Sequence, residues 1–446
     1  MENYLARKLQ LKKKMELNSK KNYDIMYVGK RRNRSMIKRT IYKEIIETVK
    51  NKAVTVITGA RQVGKTTLCE LIEKDLGFNY VTLADPIMRS AAKNDPSEFL
   101  SLHSIPLIID EIQKAPELFD YLEGVVDKEI KKGNKKSLYV LTGSQAYKLM
   151  KGVSESMSGR VGLISMSPLS LSEIYEKEEV PFNVDIDKIK ERLSNYQIST
   201  NTMYDYIIRG FYPELYDNPN LKTAPFYSDY LETYIERDVS DLINLKDKQK
   251  FINFMSVLAS LTGQELIYEN LSKIIGVDIK TIMNWTSVLV AGDIIHLLQP
   301  YNEDSMVKQI TRREKVYFSD TGFACYLARV NTAEALKASY LKGSMVETFI
   351  VNEIIKSYKN NRKDKETSFY YYRNSKKEEI DLIIVRDGKI TMIECKSGEE
   401  YNLSSVQSFK NLDKTKLVKT NNAIICTTKN IYPLCKGVYV LPISSI

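Results

Sequence analysis

The sequence predicts an α/β fold with several domains, and three groups of residues carry that prediction. Three short β-branched or apolar runs, at 54–58, 107–111 and 138–142, each end in a glycine-rich or acidic segment. A helix-turn-helix pattern follows in the middle of the chain, and an acidic β-hairpin pattern lies near its C-terminus. The length of 446 residues agrees with roughly three domains of about 150 residues each.

The composition is that of an ordinary globular protein. It is 43% hydrophobic and 27% charged, which excludes collagen-like and wholly disordered chains. No apolar run reaches the ~18–20 residues needed to cross a bilayer, so we expect a cytoplasmic protein without membrane contact. Five scattered cysteines and two histidines argue against a disulfide scaffold, a structural zinc site and catalysis by a histidine-activated nucleophile.

The net charge of +10 is concentrated at the N-terminus. The first 40 residues contain 13 Lys or Arg against three acidic residues, and the rest of the chain is balanced. We therefore expect a basic N-terminal extension, residues 1–35. It would either follow nucleic-acid phosphates through counterion release or form a solvated tail.

The first apolar run leads into a glycine-rich loop that has the pattern of a phosphate-binding loop. In G-x-x-x-x-G-K-T, the glycines let backbone N–H groups turn toward phosphates, and a helix begins at the same point. Lys65 is placed to reach the β- and γ-phosphates, and the Thr66 hydroxyl to ligate Mg²⁺. The sequence predicts that ATP is bound by Gly59, Ala60, Arg61, Gln62, Val63, Gly64, Lys65, Thr66 and Thr67.

The second and third runs supply the other groups that ATP hydrolysis needs. The second ends in Asp110 and Glu111. We expect Asp110 to hold the magnesium ion and Glu111 to orient and polarise the attacking water. The third run ends at residues 143–145, where Ser144 is predicted to sense the γ-phosphate.

Two arginines outside these runs, Arg160 and Arg237, are candidates for stabilising the charge of the transition state. Each is equally consistent with a structural ion pair, because arginine favours such pairs. Arg160 is included in the predicted nucleotide site.

Asp387-Gly388, between two β-rich runs, predicts a hairpin with a two-residue loop. That loop fixes the register, so Asp381 should lie opposite Glu394, and Glu379 opposite Lys396. All four side chains then share one face of the hairpin.

Opposed carboxylates at about 5 Å destabilise a hairpin unless a positive charge lies between them. We therefore expect Asp381 and Glu394 to ligate Mg²⁺ or Mn²⁺, with Lys396 orienting water or stabilising phosphate charge. Glu347, on an upstream amphipathic helix, would bring another carboxylate. The alternative is a solvent-facing hairpin end that holds no metal.

Residues 268–290 predict two helices joined by a glycine turn, and two apolar strands follow. This pattern is typical of a helix-turn-helix with a wing, which binds DNA or serves as a scaffold. The presumed recognition helix has only Lys280 as a base, with Asp278 beside it. The scaffold role is therefore favoured over reading of a DNA groove.

Together the motifs resemble a large prokaryotic family of predicted AAA-type ATPases that carry a C-terminal domain of unknown function with a restriction-endonuclease-like fold. The resemblance covers about residues 36–446 in order. It is carried by the phosphate loop and the acidic hairpin, and by DEIQ at 110–113, PEL at 116–118, LTGS at 141–144, SGR at 158–160, YLETYIERD at 230–238 and KVYFSDTG at 315–322.

The resemblance implies that Glu347, Asp381, Glu394 and Lys396 form a nuclease-like active site. One departure is that Ile380 precedes Asp381, where the family motif has proline. The expected division of the chain is a basic extension at 1–35, a P-loop ATPase core at 36–200, a helical lid at 201–262, a winged-helix segment at 263–330 and a restriction-endonuclease-like domain at 331–446.

The leading hypothesis is an Mg²⁺-dependent ATPase that couples ATP turnover to binding or processing of nucleic acid, with DNA favoured over RNA. The alternative is an ATP-driven switch whose C-terminal domains bind partners without cleaving them. AAA-type sites often lie between subunits, so a homo-oligomer is the accompanying expectation.

Overall fold

A computed structural model describes residues 36–143, 159–195, 197–239, 247–302 and 313–446. The basic extension and Ser144 lie outside the described residues, as does the side chain of Arg237.

The first half of the fold is built on a parallel sheet. Among the described residues it has five strands, in the order β2-β3-β4-β1-β5, and every neighbouring pair is parallel. The strands are β1 (Val54–Gly59), β2 (Asn79–Thr82), β3 (Leu107–Asp110), β4 (Tyr139–Thr142) and β5 (Val161–Met166). All residues of β1, β3 and β4 are buried, as expected for central strands covered on both faces. The carboxyl ends of all five strands meet at one edge of the sheet, where ligands bind in folds of this type.

The helices of this half begin and end at recognisable signals. They are α1 (Ile41–Asn51), α2 (Lys65–Leu76), α3 (Pro86–Asn94), α4 (Pro96–Leu102) and α5 (Leu118–Lys131). Helix α2 starts directly after Gly64, whose φ of 98° is accessible to glycine, and ends at Gly77 with φ 69°. The N-terminus of α2 is therefore fixed against the end of β1 by the glycine-rich loop.

A mainly helical region follows the sheet. It contains α6 (Leu171–Ile174), α7 (Ile186–Asn195), α8 (Thr200–Arg209), α9 (Pro213–Asp217), α10 (Thr223–Tyr234), a π-helical turn (Ile235–Val239) and α11 (Lys248–Ser260). Its aromatic side chains pack around a buried carboxylate, Asp320. That carboxylate accepts hydrogen bonds from the backbone N–H of Phe211 (2.6 Å), the backbone N–H of Phe323 (2.8 Å) and the hydroxyl of Tyr227 (2.8 Å). Asp320 thus ties this region to the chain that follows it.

The central part of the chain has the helix pair and the strands expected from the sequence. Helices α12 (Tyr268–Ile275) and α13 (Ile279–Ala291) are bent by 105° about a turn at Gly276. Strands β6 (Gln264–Glu265), β7 (Ile295–Pro300) and β8 (Lys315–Phe318) pair antiparallel in the order β6-β8-β7. Their assignment as a winged helix stays a prediction. No single described helix is long and apolar enough to cross a bilayer, and only the bent α12–α13 pair passes that test jointly.

The C-terminal region continues the same sheet. Its elements are α14 (Thr321–Leu327), α15 (Ala333–Ala338), α16 (Lys342–Lys359), β9 (Thr367–Arg373), β10 (Glu379–Arg386), β11 (Lys389–Cys395), β12 (Val418–Lys419), β13 (Asn422–Cys426), β14 (Tyr432–Cys435) and β15 (Val438–Pro442). The strand order is β14-β15-β13-β11-β10-β9-β7-β8-β6, with β12 on β11. Because β7 pairs in parallel with β9, the division expected at 330/331 does not separate two sheets.

Helix α16 lies at the centre of the protein and is buried on nearly every side from Met345 to Tyr358. An α-helix that is apolar around most of its circumference has to be surrounded by other elements. In the described part of the chain, one apolar core runs from Ile37 to Ile446 and includes residues of both sheets. The phosphate-loop half and the C-terminal half therefore share a core.

Candidate functional site

The phosphate loop joins β1 to α2 and depends on Gly59 and Gly64, which both have a positive φ. Gly59 has φ 140°, and a Cβ there would overlap the backbone carbonyl of Met166 on β5. The buried Lys65 ammonium donates hydrogen bonds to the carbonyl oxygens of Gly59 (2.8 Å) and Ala60 (2.7 Å). The loop carbonyls thus hold the Lys65 ammonium in place.

Asp110, at the end of β3, is surrounded by hydroxyl groups. It accepts hydrogen bonds from Thr142 on β4, from Tyr80 (3.0 Å), from Thr82 (3.4 Å) and from Thr66 (3.5 Å). Strand β4 lies between β1 and β3, yet Thr66 still reaches the carboxylate. The structure therefore brings together the two residues predicted to hold magnesium.

Glu111 follows Asp110 in a left-handed conformation, with φ 57°. This conformation is uncommon for a residue with a side chain. The Gln113 amide donates a hydrogen bond to the Glu111 carboxylate, and a Cβ at Gly143 would overlap that amide. Gln113 and Gly143 therefore position the predicted base. The sequence analysis gave Gln113 no role, although DEIQ was among the matching segments.

Arg39 is a functional candidate that the sequence analysis missed. Its guanidinium donates to the carbonyl of Val63 in the phosphate loop (2.6 Å), to the carbonyl of Ser167 (2.7 Å) and to the carboxylate of Glu173 (3.1 Å). The same Glu173 oxygen accepts the backbone N–H of Thr40 (2.8 Å). Arg39 was counted with the basic residues of the N-terminus, but it lies inside the fold and braces the loop.

Arg160 lies at the other end of the sheet from the phosphate loop. It precedes Val161, which pairs with Val54 at the start of β1. Its guanidinium contacts Asp127 (2.6 and 2.9 Å) and Glu123 (3.3 Å), both on α5. The structure thus places Arg160 away from the phosphate loop. Its guanidinium forms a structural ion pair, which was the alternative role considered from the sequence.

The C-terminal hairpin has the register that the sequence predicts. Arg386 pairs with Lys389, and Leu382 with Ile393. The loop residues Asp387 and Gly388 both have positive φ, 51° and 70°. A two-residue turn with two positive φ angles matches the twist of the strands, so the hairpin prediction is confirmed.

Beyond the hairpin ladder lie four acidic side chains, Glu347, Glu379, Asp381 and Glu394, which we call the carboxylate centre. Oxygens of the first three lie within 4.8 Å of one another. Asp381 also accepts the backbone N–H of Cys395 (2.8 Å). Of the residues predicted as a nuclease-like set, Glu347 and Asp381 are therefore brought together with Glu379, whereas Glu394 lies outside that group of three and pairs with Lys396.

The centre contains a cation that the sequence analysis did not assign, the ammonium of Lys315 on β8. It lies 2.9 Å from Glu347 Oε1, contacts Glu379 and is 3.9 Å from Asp381 Oδ1. The hydroxyl of Tyr317 donates to the same Glu347 oxygen at 2.6 Å. Lys315 and Tyr317 are two residues apart on one strand, so both side chains point to the same face.

Glu394 is paired differently from the other three. It accepts a hydrogen bond from Lys396, while its other oxygen is buried and has no hydrogen-bond partner among the described residues. Burial, and then the charge of Asp381, raise the pKa of Glu394 well above its usual range.

Burial also raises the pKa of Glu347, to about 7, against the opposing effect of Lys315. Burial alone would lower the pKa of Lys315, but the surrounding acidic groups, Glu347 first, raise it well above its usual range. The acidic groups around Lys315 therefore favour its charged form.

The exposed side of α13 bears few charges. Ile279, Met283 and Val290 are 41%, 51% and 37% exposed, and Lys280 is exposed beside them. The exposed positions also include the polar residues Asn284 and Ser287. The choice between the scaffold role and reading of a DNA groove therefore stays a prediction.

A cleft of about 820 Å³ lies at the loop end of the C-terminal hairpin. Its lining includes five basic and three acidic side chains. They are Lys177, Lys188, Arg192, Arg386 and Lys389, and Glu178, Glu191 and Asp387.

Comparisons with known proteins assign a domain type to residues 51–175. Residues 51–175 match the family model of an AAA domain. The chain carries an AAA-type P-loop domain. Its α/β fold class is thereby confirmed, and the domain supports ATP binding and hydrolysis as the class of activity. Residues 200–334 and 342–446 match two models described as domains of unknown function, DUF8612 and DUF4143.

Two uncharacterized proteins, from Mycobacterium bovis and Mycobacterium tuberculosis, are each 24% identical to this chain over 393 residues, covering 88% of it and 80% of the relative.

Among solved structures, a Walker-type ATPase of Pyrococcus abyssi is 13% identical and covers 64% of this chain and 94% of its own, with a TM-score of 0.41. The RuvB Holliday junction branch migration motor of Thermotoga maritima is 13% identical and covers 57% and 88%, with a TM-score of 0.28. The Orc1 protein of Aeropyrum pernix, solved in complex with DNA, is 13% identical and covers 66% and 93%, with a TM-score of 0.25. These similarities are distant and assign no substrate.

Proposed function

We propose that the protein is an Mg²⁺-dependent ATPase that couples ATP turnover to nucleic-acid binding through its C-terminal region. One observation carries the ATPase part: the Lys65 ammonium, the Thr66 hydroxyl and the Asp110 carboxylate meet at one edge of a parallel sheet. The donor set fits magnesium, which prefers oxygen ligands. Thr66 and Asp110 would hold the ion, and when bound it would neutralise charge on the β- and γ-phosphates.

The other residues of the loop have separable roles. Lys65 would exchange its carbonyl partners Gly59 and Ala60 for phosphate oxygens. Glu111, held by Gln113, would accept a proton from the attacking water and align it. The position of Glu111, fixed by its left-handed backbone, supports this role because general bases depend on geometry first.

A chain of polar contacts supports coupling between the two halves. Arg39 binds both the phosphate loop and Glu173, in the segment that follows β5. That segment is held by α16: the Glu353 carboxylate accepts the backbone N–H of Leu171 (2.8 Å), and the Lys356 ammonium donates to the carbonyl of Leu169 (2.7 Å).

Helix α16 also carries Glu347 of the carboxylate centre. A shift of the phosphate loop on binding ATP would therefore reach the C-terminal region through buried, directional contacts. Contiguity of this kind supports coupling, and its measure is a coupling free energy between the two sites.

The basic cleft supports nucleic acid as the partner. Its excess of basic side chains suits a phosphate backbone, and DNA is the polymer we favour. The residues 1–35 would add a sequence-independent contribution whose loss lowers both the affinity and its salt dependence.

A second candidate function is an ATP-driven switch that binds a partner without cleaving it. Two observations favour it over processing. The carboxylate centre already contains the Lys315 ammonium. The cleft lies at the Arg386 end of β10, and Asp381 is five residues away, roughly 17 Å along an extended strand.

The test measures ATP hydrolysis by the purified full chain with Mg²⁺, with and without single- and double-stranded DNA and RNA. Strand cleavage is followed in the same reactions, with Lys65→Ala and Asp381→Asn as controls. Stimulation by DNA, lost in Lys65→Ala, supports coupling. Cleavage that is lost in Asp381→Asn would establish processing. Hydrolysis that no polymer changes would favour the switch, and absence of hydrolysis would refute the ATPase.

A further inference from the structure

Lys315 is one of the most deeply buried charged side chains in the described chain, with 2% of its side chain exposed. Its ammonium contacts Glu347 and Glu379 directly and faces Asp381. A buried ammonium without partners would be strongly destabilising, and here three carboxylates offset that cost.

The carboxylate centre already contains cations of the chain itself. Lys315 contacts Glu347 and Glu379 and faces Asp381, and Lys396 pairs with Glu394. Arg373 lies 3.8 Å from Glu379 but is closer to Glu265, at 3.3 Å. Removing one partner from a buried ion network leaves an uncompensated charge, which is strongly destabilising. Lys315 is the cation that faces three of the four carboxylates.

A divalent metal does not fit the centre while Lys315 is in place. Magnesium needs oxygen ligands at about 2.0–2.1 Å in near-octahedral geometry. The oxygens Glu347 Oε1, Glu379 Oε1 and Asp381 Oδ1 face the Lys315 ammonium. An ion among them would displace the ammonium or lie within a few ångströms of it, where like charges repel.

We propose that Lys315 is the resident cation of the carboxylate centre and keeps it free of divalent metal. Substitution of Lys315 by an uncharged residue converts the centre into a metal site. The ligands are then Glu347, Glu379 and Asp381, whose oxygens lie within 4.8 Å of one another.

This inference rests on the second candidate function and deepens it, because it explains why the centre would bind a partner without cleaving it. The metal content of the centre itself does not depend on whether the protein hydrolyses ATP. ATP hydrolysis measured on the same preparations therefore separates failure of the proposed function from failure of this inference.

The test is Mn²⁺ binding to the nucleotide-free full chain, with free Mn²⁺ counted by electron paramagnetic resonance. Four proteins are compared: wild type, Lys315→Ala, Asp381→Asn and the Lys315→Ala/Asp381→Asn double variant. We expect one additional Mn²⁺ per chain in Lys315→Ala, bound at least tenfold more tightly than any ion in wild type, and its loss in the double variant. Lys315→Arg retains a cation and should behave as wild type.

Thermal unfolding provides a second readout, which compares the melting temperature of each variant with and without Mn²⁺. Lys315→Ala should melt below wild type without metal and regain part of the difference with Mn²⁺, whereas the double variant should not respond. The inference is overturned if wild type binds one Mn²⁺ that Asp381→Asn abolishes, a comparison that holds even if Lys315→Ala does not fold. It is equally overturned if folded Lys315→Ala gains no ion.

Discussion

Substitution of Arg39 by alanine tests whether the phosphate loop is braced by the segment that precedes α1. Arg39 and Glu173 have side chains that are 8% and 0% exposed, so their ion pair is buried. Removing the guanidinium leaves the Glu173 carboxylate with two backbone N–H donors, Thr40 and Ser170, but without a counter-charge. It also removes the donor from the carbonyl of Val63, in the phosphate loop, and from the carbonyl of Ser167, directly after β5.

The magnitude follows from these contacts. Removing one partner of a buried ion pair costs about 3–5 kcal/mol, and each hydrogen bond to a charged donor is worth about 1.5–3 kcal/mol. The contributions overlap because one side chain makes all of them, so we expect a total loss of about 3–5 kcal/mol. That is a large share of the roughly 5–15 kcal/mol by which proteins are stable.

Urea unfolding followed by tryptophan fluorescence measures this loss, since Trp285 is the single tryptophan and is buried. Arg39→Lys is the matched control, because lysine keeps the charge but has no planar fork to reach three acceptors. We expect it to lose less stability than Arg39→Ala. The alanine variant should also bind ATP about tenfold more weakly, equivalent to about 1.4 kcal/mol. A change in unfolding free energy below about 0.5 kcal/mol, with unaltered ATP affinity, would refute the reasoning.

Three further predictions follow from the described contacts. Gly143→Ala should reduce the rate of ATP hydrolysis with little change in ATP affinity, because the new Cβ displaces Gln113 and so frees Glu111. A steady-state rate equal to that of wild type would contradict the positions assigned to these residues. Burial, and then the charge of nearby Glu173, raise the pKa of Glu179 from 4.5 to about 7. The unfolded chain then loses its proton first, so stability falls as pH rises from about 4.5 to about 7 and is level above that. Glu179→Gln should remove this contribution, worth up to about 3 kcal/mol, and flatten the urea midpoint over that range. Arg160→Ala should leave hydrolysis by isolated monomers unchanged; a loss confined to the assembled oligomer would show that Arg160 acts on a neighbouring subunit.

The sequence predicted most where a motif is local. The phosphate loop and the hairpin turn each depend on a few consecutive residues with fixed backbone angles, and both appear at the expected positions. Asp110 was also identified, because an acidic residue that directly follows a short apolar run marks the end of a buried strand. Its distance from the loop could not be predicted, since β4 lies between β1 and β3 only in the folded sheet.

Contacts between distant segments were the ones that sequence patterns could not show. Lys315 is 32 residues from Glu347 and 66 from Asp381 along the chain, and nothing in KVYF distinguishes a buried lysine from a surface one. The repulsion between carboxylates was recognised as needing a positive charge, but only the folded structure shows that the Lys315 ammonium lies among them; the metal site stays a prediction. Arg39 was likewise concealed by neighbouring basic residues, because composition does not reveal which arginine turns inward.

The parallel pairing of β7 with β9 limits how this protein can be divided. Expression of the C-terminal region from residue 331 onward would remove β7, one of the two neighbours of β9. The backbone groups of β9 that pair with β7 would then be exposed at an edge of the sheet. Such an edge invites strand exchange between copies, so truncated fragments should aggregate rather than retain partial function. It also restricts movement: with hydrogen bonds crossing the junction and a common core beneath it, ATP would act through small displacements of packed elements instead of the swing of a detached module.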